Sequence, residues 1–396
     1  MLDAMPAGHR HRLLAHLRDQ GPRSRAELAD VLGMNRGRVL AELDQLVRSN
    51  LVREAGFASS RGGRRSTLIE LHPDIRFAAV DIGVSSIDLE VTDGSLHPVA
   101  AVSEPADVRL GPRRTLHRVN EILAKLQVDG AFEQLTAVGI GLPGPVSFRD
   151  GIPVSPPIMP GWDRFPVRDA LAREHGCPVV VDNDVNIMAV GERYGGVARS
   201  VDDYLFLKLG SGIGCGIFLD GDVYRGTDGC AGDIGHMWVD DRGPVCACGN
   251  VGCLESLFGG TALARDATAL ARSGKSSFLA ERLPHRPELT AEDVAAGAVD
   301  GDPACLNLVR SGGRRVGSVL AGLVSFLNPS MIVIGGGLAG LGHVLLAEIR
   351  SVVYRRSLSL ATGNMPIVMS ELGPRTGVVG AAVLASDLAF GTQEQE

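Results

Sequence analysis

Three cysteines and one histidine occur at a spacing that suits a metal ion. Cys246, Cys248 and Cys253 place three thiols within eight residues, and His236 lies ten residues before the first of them. Three thiolates and one imidazole form the closed tetrahedral ligand set that is typical of structural zinc. The four other cysteines are scattered singly, so three unrelated thiols in one loop is the weaker interpretation. We therefore expect a Cys3His zinc site.

A carboxylate that could act as a base lies at the junction of a predicted strand and a predicted helix. The segment Val181-Asp-Asn-Asp184 ends a short apolar run. Phosphoryl transfer to a hydroxyl group needs a carboxylate within hydrogen-bond distance to accept the proton, and Asp184 could fill that role. From the residues alone, an aspartate at such a junction is more often a helix N-cap, so both interpretations stay open here.

Two glycine-rich segments could approach phosphate groups. They are Gly210-Ser211-Gly212-Ile213-Gly214, inside a predicted β-hairpin, and Gly335-Gly336-Gly337, after a predicted strand. Nucleotide binding needs backbone N–H groups that turn towards phosphates, which glycine permits. Tight turns explain both segments equally well, so neither is specific by itself.

The first fifty residues predict three helices. Ser24 and Glu27 form a capping box at the start of the second helix, and Gly33 supplies the turn after it. Asn35 then caps a third helix. Apolar residues recur along that helix at helical spacing, namely Val39, Leu40, Leu43, Leu46 and Val47. Two short helices joined by a glycine-containing turn predict a helix-turn-helix.

A β-hairpin with a basic, glycine-rich tip is predicted next, between Leu51-Val-Arg53 and Thr67–Leu71. If the third helix enters a DNA major groove, its first turn faces the base edges. That geometry nominates six DNA-binding residues, three on the helix and three at the hairpin tip: Asn35, Arg36, Arg38, Arg61, Arg64 and Arg65. The alternative is a small interaction module with solvated arginines.

Charge and composition narrow the class of protein. Residues 1–65 contain 12 basic and 7 acidic residues, whereas the 396-residue chain carries a net charge of −7, so any nucleic acid is expected at the N-terminal part. Seven cysteines with three clustered do not predict a disulfide framework. We see no signal peptide, and the longest apolar run is too short for a bilayer. We expect a cytoplasmic protein without a membrane partner.

The rest of the chain predicts an α/β fold. Strands are expected at Phe77–Gly83, Ile87–Val91, Ala137–Ile140, Val179–Val181, Tyr204–Leu209, Gly216–Leu219 and Met331–Ile334. Helices are expected at Leu116–Leu126, Pro303–Leu327 and Val378–Phe390. Strands that end in glycine or carboxylate loops, with crossover helices, place ligands at the strand ends.

The zinc motif and the N-terminal helices resemble those of one family. His236 with Cys-x-Cys-Gly-x-x-Gly-Cys-x-Glu, which runs from Cys246 to Glu255, resembles the zinc signature of the ROK family of bacterial sugar kinases and sugar-responsive repressors. The N-terminal helices and the hairpin that follows them, here called the head, resemble the winged helix of the repressors, which the simple kinases lack. The resemblance implies a winged helix-turn-helix over residues 1–72. It also implies a two-lobed actin-like (ribonuclease H-like) sugar-kinase fold around a cleft over residues 76–390.

The resemblance also implies a sugar site. Its residues would be Gly144, Asn183, Asp184, Asp233, His236 and Glu255. Asn183 would hold sugar hydroxyls, Asp184 would be the catalytic base of an active kinase, and zinc would hold the loop that carries His236 and Glu255. Asp233 stands where relatives usually have glutamate. Its shorter reach could change which sugar binds, or require a bridging water.

For ATP and Mg2+, the resemblance adds a first phosphate loop with Asp81, Gly83 and Ser85 to the two glycine-rich segments. Kinases of the family tend to read Asp-x-Gly-Gly-Thr-Lys in this loop, whereas this chain has Ser86 at the position of the lysine. A missing cation opposite the ATP phosphates counts against efficient catalysis.

Two functions compete for this chain. The first is a sugar-responsive transcriptional regulator, a repressor by resemblance, with operator DNA and a sugar or sugar derivative as partners. The second is an ATP-dependent sugar kinase with an appended DNA-binding head. The winged helix and Ser86 favour the regulator. A homodimer or homotetramer is expected, because paired heads on adjacent major grooves need a two-fold axis.

Overall fold

The computed structural model describes residues 7–57, 66–285 and 288–391. The α-helices are α1 (Ala7–Gln20), α2 (Arg25–Leu32), α3 (Arg36–Arg48), α4 (Pro112–Val128), α5 (Val167–His175), α6 (Asp184–Gly195), α7 (Leu254–Phe258), α8 (Gly260–Arg272), α9 (Ser277–Arg282), α10 (Ala291–Val299), α11 (Pro303–Leu327), α12 (Gly342–Arg356), α13 (Ser359–Thr362) and α14 (Thr376–Phe390). Among the described residues, no helix combines the length and the apolarity that a bilayer crossing needs.

The strands belong to three larger sheets and one small ribbon. In chain order they are β1 (Arg23–Ser24), β2 (Val52–Phe57), β3 (Thr67–Leu71), β4 (Arg76–Ile82), β5 (Ser86–Asp93), β6 (Pro98–Pro105), β7 (Ala137–Leu142), β8 (Val146–Ser147), β9 (Ile152–Pro153), β10 (Val179–Asn183), β11 (Tyr204–Leu209), β12 (Ile213–Leu219), β13 (Asp222–Val223), β14 (Met331–Gly335) and β15 (Ile367–Met369). Strands β8 and β9 form the ribbon.

The N-terminal head is a helix-turn-helix with an antiparallel sheet in the order β1-β3-β2. The capping box forms as predicted, because the Glu27 N–H donates to Ser24 Oγ at 3.3 Å and the Ser24 N–H donates to Glu27 Oε2 at 2.8 Å. Gly33 ends α2 in the left-handed region, at φ 64°. The three predicted helices and the two strands of the hairpin are confirmed, while the hairpin tip lies outside the described residues.

The buried face of α3 is narrower than the sequence predicts. Val39, Leu43 and Leu46 are buried, but Leu40 is 37% exposed and Val47 is 42% exposed. The prediction that these two residues join the apolar face was wrong. A head of three short helices covers only one stripe of α3, and residues 40 and 47 lie one position beyond that stripe.

The described residues fall into two compact units. One is drawn from the described parts of 1–155, 159–183 and 378–396, and the other from the described parts of 156–158 and 184–377. The first unit has a sheet in the order β10-β7-β4-β5-β6, and the second has a sheet in the order β13-β12-β11-β14-β15. In each sheet, three consecutive strands form an antiparallel meander, and two later strands add in parallel beside the first. This repeated topology confirms the predicted two-lobed α/β fold.

Inside the first unit, the head shares a core with the C-terminal helix α14. Leu13, Leu14 and Leu17 of α1 belong to the same buried cluster as Phe77 and Phe390. The rings of Phe77 and Phe390 meet edge to face, with centroids 6.0 Å apart. The head is therefore packed on the sheet and on α14 by apolar contacts, and the chain connection is not its only attachment.

A buried arginine adds a polar contact to this apolar core. Arg18 of α1 has a side chain that is 7% exposed. Its Nη1 donates to Ser386 Oγ and to Asp387 Oδ1 of α14, each at 2.8 Å, and its Nε donates to Asp19 Oδ1 at 2.7 Å. Charge-assisted hydrogen bonds of this length hold the guanidinium in a fixed orientation between the two helices.

We expect Arg18→Ala to lower the free energy of unfolding by about 1–3 kcal/mol, because each charge-assisted hydrogen bond that is lost leaves a partner without its donor. Urea unfolding measures the change. Arg48→Ala is the control, since Arg48 is exposed on α3 and its loss should stay within about 0.5 kcal/mol. Equal midpoints for the two variants would contradict a structural role for the Arg18 contact.

Candidate functional site

Four side chains of the second unit form a cluster that could hold a metal ion. One ligand atom from each of His236, Cys246, Cys248 and Cys253 lies within 4.8 Å of every other. Cys248 Sγ and Cys253 Sγ are 3.7 Å apart, and Cys246 Sγ is 3.4 Å from His236 Nδ1. Zinc–sulfur bonds of about 2.3 Å in a tetrahedron require sulfur atoms about 3.8 Å apart. The donor set and the distances therefore fit a tetrahedral metal ion.

Glycines allow the loop to bring these ligands together. Gly249 and Gly252 have φ values of 89° and 74°, in the left-handed region. A Cβ on Gly252 would lie 1.7 Å from the Asp240 carbonyl oxygen, so no larger residue fits there. The turn is closed by backbone hydrogen bonds from Cys246 to Asn250 and from Gly249 to Cys246.

The protonation of the thiols is tuned by their surroundings. Burial raises the pKa of Cys253 and that of Cys246, whereas the backbone N–H of Asn250 lowers the pKa of Cys248. On the other side of the imidazole, His236 Nε2 lies 4.0 Å from Asp233 Oδ1. The ring thus directs Nδ1 to the cluster and Nε2 towards a carboxylate, an arrangement that is common for histidine ligands of metals.

The loop that carries the four cluster residues leads directly to Glu255, which contacts the glycine-rich segment 210–214. Cys253 is the N-cap residue of α7, and Glu255 lies in the first turn of that helix. The Glu255 Oε2 accepts a hydrogen bond from the Ile213 N–H at 3.0 Å. A Cβ on Gly212 would lie 2.5 Å from the same oxygen. The position of Glu255, and with it the 210–214 segment, therefore depends on the loop that carries the four ligands.

Asp184 is the first residue of α6 and is 4% exposed. Its Oδ2 forms an ion pair with Lys208 Nζ of β11. Lys208 is a residue that the sequence did not single out. The sequence did offer one signal for it, because lysine is rare in this chain. Of 39 basic residues, only Lys125, Lys208 and Lys275 are lysines.

In the first unit, Asn183 ends β10 and contacts another predicted residue. Its Nδ2 donates to the Gly144 carbonyl oxygen at 2.8 Å. Gly144 has a φ of 83°, which explains the glycine there. Asp182 and Asp81 both pair in register with Gly141 of β7, so they lie in one row across the sheet, and Asp182 is a residue that the sequence did not nominate.

The first phosphate loop is a tight turn between β4 and β5. The Gly83 N–H donates to the Ser86 carbonyl oxygen at 2.9 Å. Ser86 Oγ donates to Asp88 Oδ2 at 3.1 Å, and Ser103 Oγ donates to Asp88 Oδ1 at 2.5 Å. Ser86 therefore contacts a carboxylate two residues further along β5, and this negative charge disfavours an anion such as a phosphate at Ser86.

The two glycine-rich segments lie side by side in the second unit. A Cβ on Gly336 would lie 2.4 Å from the carbonyl oxygen of Leu209, the residue before Gly210. Beside Gly337 is a cavity of about 150 Å3, lined by Ala291, Glu292, Ala295, Gly337, Leu338, Gly340 and Leu341. The structure brings these segments together, as two loops of a common nucleotide site would require.

Three of the six nominated DNA-binding residues are described. Arg36 and Arg38 are exposed in the first turn of α3. Asn35 also acts as the helix cap, because its Oδ1 accepts a hydrogen bond from the Arg38 N–H at 2.9 Å. Arg61, Arg64 and Arg65 lie outside the described residues.

Comparison with known proteins agrees with this fold. The xylose repressor of Caldicellulosiruptor bescii is 28% identical over 375 residues, which cover 93% of each chain. The glucokinase of Thermotoga maritima is 31% identical over 321 residues, which cover 80% of this chain and 98% of the kinase. A crystal structure of a ROK family transcriptional regulator, a homologue of the Escherichia coli MLC protein, has a TM-score of 0.82 and 26% identity, with 98% of each chain covered.

Two repeated sheets with a Cys3His loop define a protein of the sugar-kinase-like class. The model of the ROK family matches residues 77–388, and this chain belongs to the ROK family. The match begins at the first strand after the head, so the head is an addition to the family domain.

We expect the purified protein to carry about one metal ion in the Cys3His cluster, and Cys248→Ser to lose it, because a tetrahedral site with one thiolate removed binds far more weakly. Metal analysis measures the content, and the melting temperature should fall with it. Cys230→Ser is the matched control, since Cys230 is exposed and outside the cluster. Full metal content in the Cys248 variant would contradict this ligand set.

Proposed function

We propose that this chain is a sugar-responsive transcriptional repressor. Residues 1–72 form the DNA-binding domain, and residues 76–390 form a sugar-kinase-like domain that binds a sugar or sugar derivative as the effector. The observation that carries the proposal is the first turn of α3, the second helix of the helix-turn-helix. Arg36 and Arg38 lie in this turn, and both are exposed. The match to a repressor along 93% of both chains supports it.

The head has the charge and shape that operator binding needs. A helix of this kind reads base edges with the residues of its first turn, and arginine is the commonest partner of guanine. The hairpin between β2 and β3 would contact the phosphates or the minor groove through Arg61, Arg64 and Arg65. Operators with two half-sites need two heads, so we propose a homodimer or homotetramer.

We further propose that zinc occupies the Cys3His cluster and supports the sugar site. The sugar would contact Gly144, Asn183, Asp184, Asp233, His236 and Glu255. The hydrogen bond between Glu255 and Ile213 supports this assignment, because it connects the loop that carries the four cluster residues to the glycine-rich segment 210–214. Removing the metal should therefore remove the response to sugar before it removes DNA binding.

An active sugar kinase is the second candidate function. The 31% identity to a glucokinase favours it, as do the two adjacent glycine-rich segments, which could approach the phosphates of ATP. Asp81, Gly83 and Ser85 of the first phosphate loop would be the further residues for ATP with Mg2+. The surroundings of Ser86 count against it, because a serine that contacts Asp88 supplies no positive charge to a phosphate. We therefore rank catalysis below regulation.

We expect Arg36→Ala or Arg38→Ala to weaken binding to the operator by about 1–3 kcal/mol for each lost base contact, with little change for unrelated DNA. Arg64→Ala or Arg65→Ala should instead weaken binding to all sequences and reduce its salt dependence. Fluorescence anisotropy with operator and scrambled DNA measures both effects. Arg272→Ala, at the exposed end of α8, is the control. Unchanged affinity after removal of residues 1–65 would exclude the repressor function.

We expect weak or no ATP-dependent phosphorylation of hexoses by the wild-type protein, because no cation stands at position 86. Product formation from labelled ATP measures the rate, with Asp184→Asn as the inactive reference. Fast turnover that Asp184→Asn abolishes would reverse the ranking and make the kinase the primary function.

A further inference from the structure

A partly buried lysine contacts the carboxylate that could serve as a base. The side chains of Lys208 and Asp184 are 17% and 5% exposed, and they form an ion pair. The other lysines of the chain, Lys125 and Lys275, are exposed. An ammonium group is a compact point charge with three rotatable donors.

The packing of α6 on the sheet creates this pair. Lys208 lies opposite Gly214 on β12 and opposite Gly335 on β14, so neither neighbouring strand places a side chain beside it. A Cβ on Gly214 would lie 2.7 Å from Val185 Cγ2 of α6. The absence of that side chain lets α6 approach the sheet, and its first residue, Asp184, thereby reaches the ammonium group.

We propose that Lys208 holds Asp184 as a fixed hydrogen-bond acceptor for a sugar hydroxyl and suppresses its use as a proton acceptor. This inference rests on the proposed sugar-binding role of Asp184. A carboxylate has two oxygens and about four acceptor positions, so an ion pair through Oδ2 leaves acceptor capacity for a hydroxyl. Lys208 is thus a positioning residue that separates sugar binding from sugar phosphorylation.

The chemistry of the transfer explains the suppression. The sugar oxygen forms a bond to the γ-phosphorus of ATP, and the bond from that phosphorus to the β–γ bridging oxygen breaks to release ADP. The hydroxyl proton passes to the Asp184 carboxylate. A partly buried ammonium group in contact with that carboxylate opposes the arrival of the proton, because protonation neutralises the carboxylate and removes its attraction to the ammonium group.

This effect is independent of the change in the first phosphate loop. Ser86 lies in the first unit and acts on the phosphate side of the reaction, whereas Lys208 lies in the second unit and acts on the proton. Each change lowers turnover without removing a sugar-binding side chain. Together they would convert a kinase domain into a domain that binds its sugar and releases it unchanged, which is what an effector site requires.

The test compares Lys208→Met, which removes the charge at similar length, with Lys208→Arg, which keeps it. Lys275→Met is the matched surface control, and Lys208→Gln is a second neutral variant in case Lys208→Met does not fold. Each variant is made in the wild-type chain and in Ser86→Lys. Calorimetry measures the Kd for D-glucose and D-xylose, and labelled ATP with Mg2+ measures kcat for the same sugars.

We expect Lys208→Met to raise kcat by about 10–100-fold in the Ser86→Lys chain, a gain that reaches the lower end of the roughly 100–10,000-fold that a positioned base contributes. The sugar Kd should change by less than about three-fold, and Lys208→Arg and Lys275→Met should keep the low rate. No gain in either background, or a loss of sugar binding by both neutral variants, would overturn the role of Lys208. Failure of wild-type protein to bind either sugar would instead count against the proposed sugar site, and operator binding tests the repressor function separately.

Discussion

The loop from His236 to Cys253 depends on one constraint. Four of its side chains, those of His236, Cys246, Cys248 and Cys253, have to converge on one centre. The segment from His236 to Cys253 has little core of its own, since Trp238 and Val245 are 64% and 71% exposed. Its shape comes from backbone turns and from three sulfur atoms and one imidazole within 4.8 Å. Thiolates at such distances repel each other unless a cation neutralises them. Because Cys253 is the N-cap residue of α7, the same constraint places Glu255 against Ile213.

A second constraint concerns the head. In the proposed repressor, the state of the ligand site would have to reach the DNA-binding surface, and packed elements can carry such coupling. Here α1 and α14 share a buried cluster and the Arg18–Asp387 ion pair. Helix α14 begins at Thr376, and the boundary between the two compact units falls within its first turn, between residues 377 and 378. The helix that contacts the head thus starts where the chain passes from one unit to the other.

Much of this fold was predictable because local signals agreed with tertiary packing. The capping box at Ser24, the Asn35 cap and the long helix α11 each formed where the sequence predicted them. The apolar pattern of the sequence failed to predict elements whose burial depends on partners that are distant in the chain. Strand β6 has an exposed alternate face and β15 has three residues, so neither has enough apolar pattern to be recognised alone. Helices α8 to α10 and α12 were not among the predicted helices, although α12 buries Leu345, Leu346, Ile349, Val352 and Val353 at helical spacing.

The features of the site also differ in how they could be found. Some are visible from residue types and spacing, and others only from the three-dimensional structure. Cysteine spacing is a local property, so the metal cluster was visible in the sequence. The ion pair between Lys208 and Asp184 joins residues 24 positions apart, and it exists because Gly214 lets α6 approach the sheet. Sequence motifs report which groups are retained, such as Asn183 and Asp184, but a retained group performs its chemistry only in suitable surroundings. A carboxylate beside an ammonium group and a serine beside Asp88 are the surroundings through which the proposed repressor would bind a sugar without phosphorylating it.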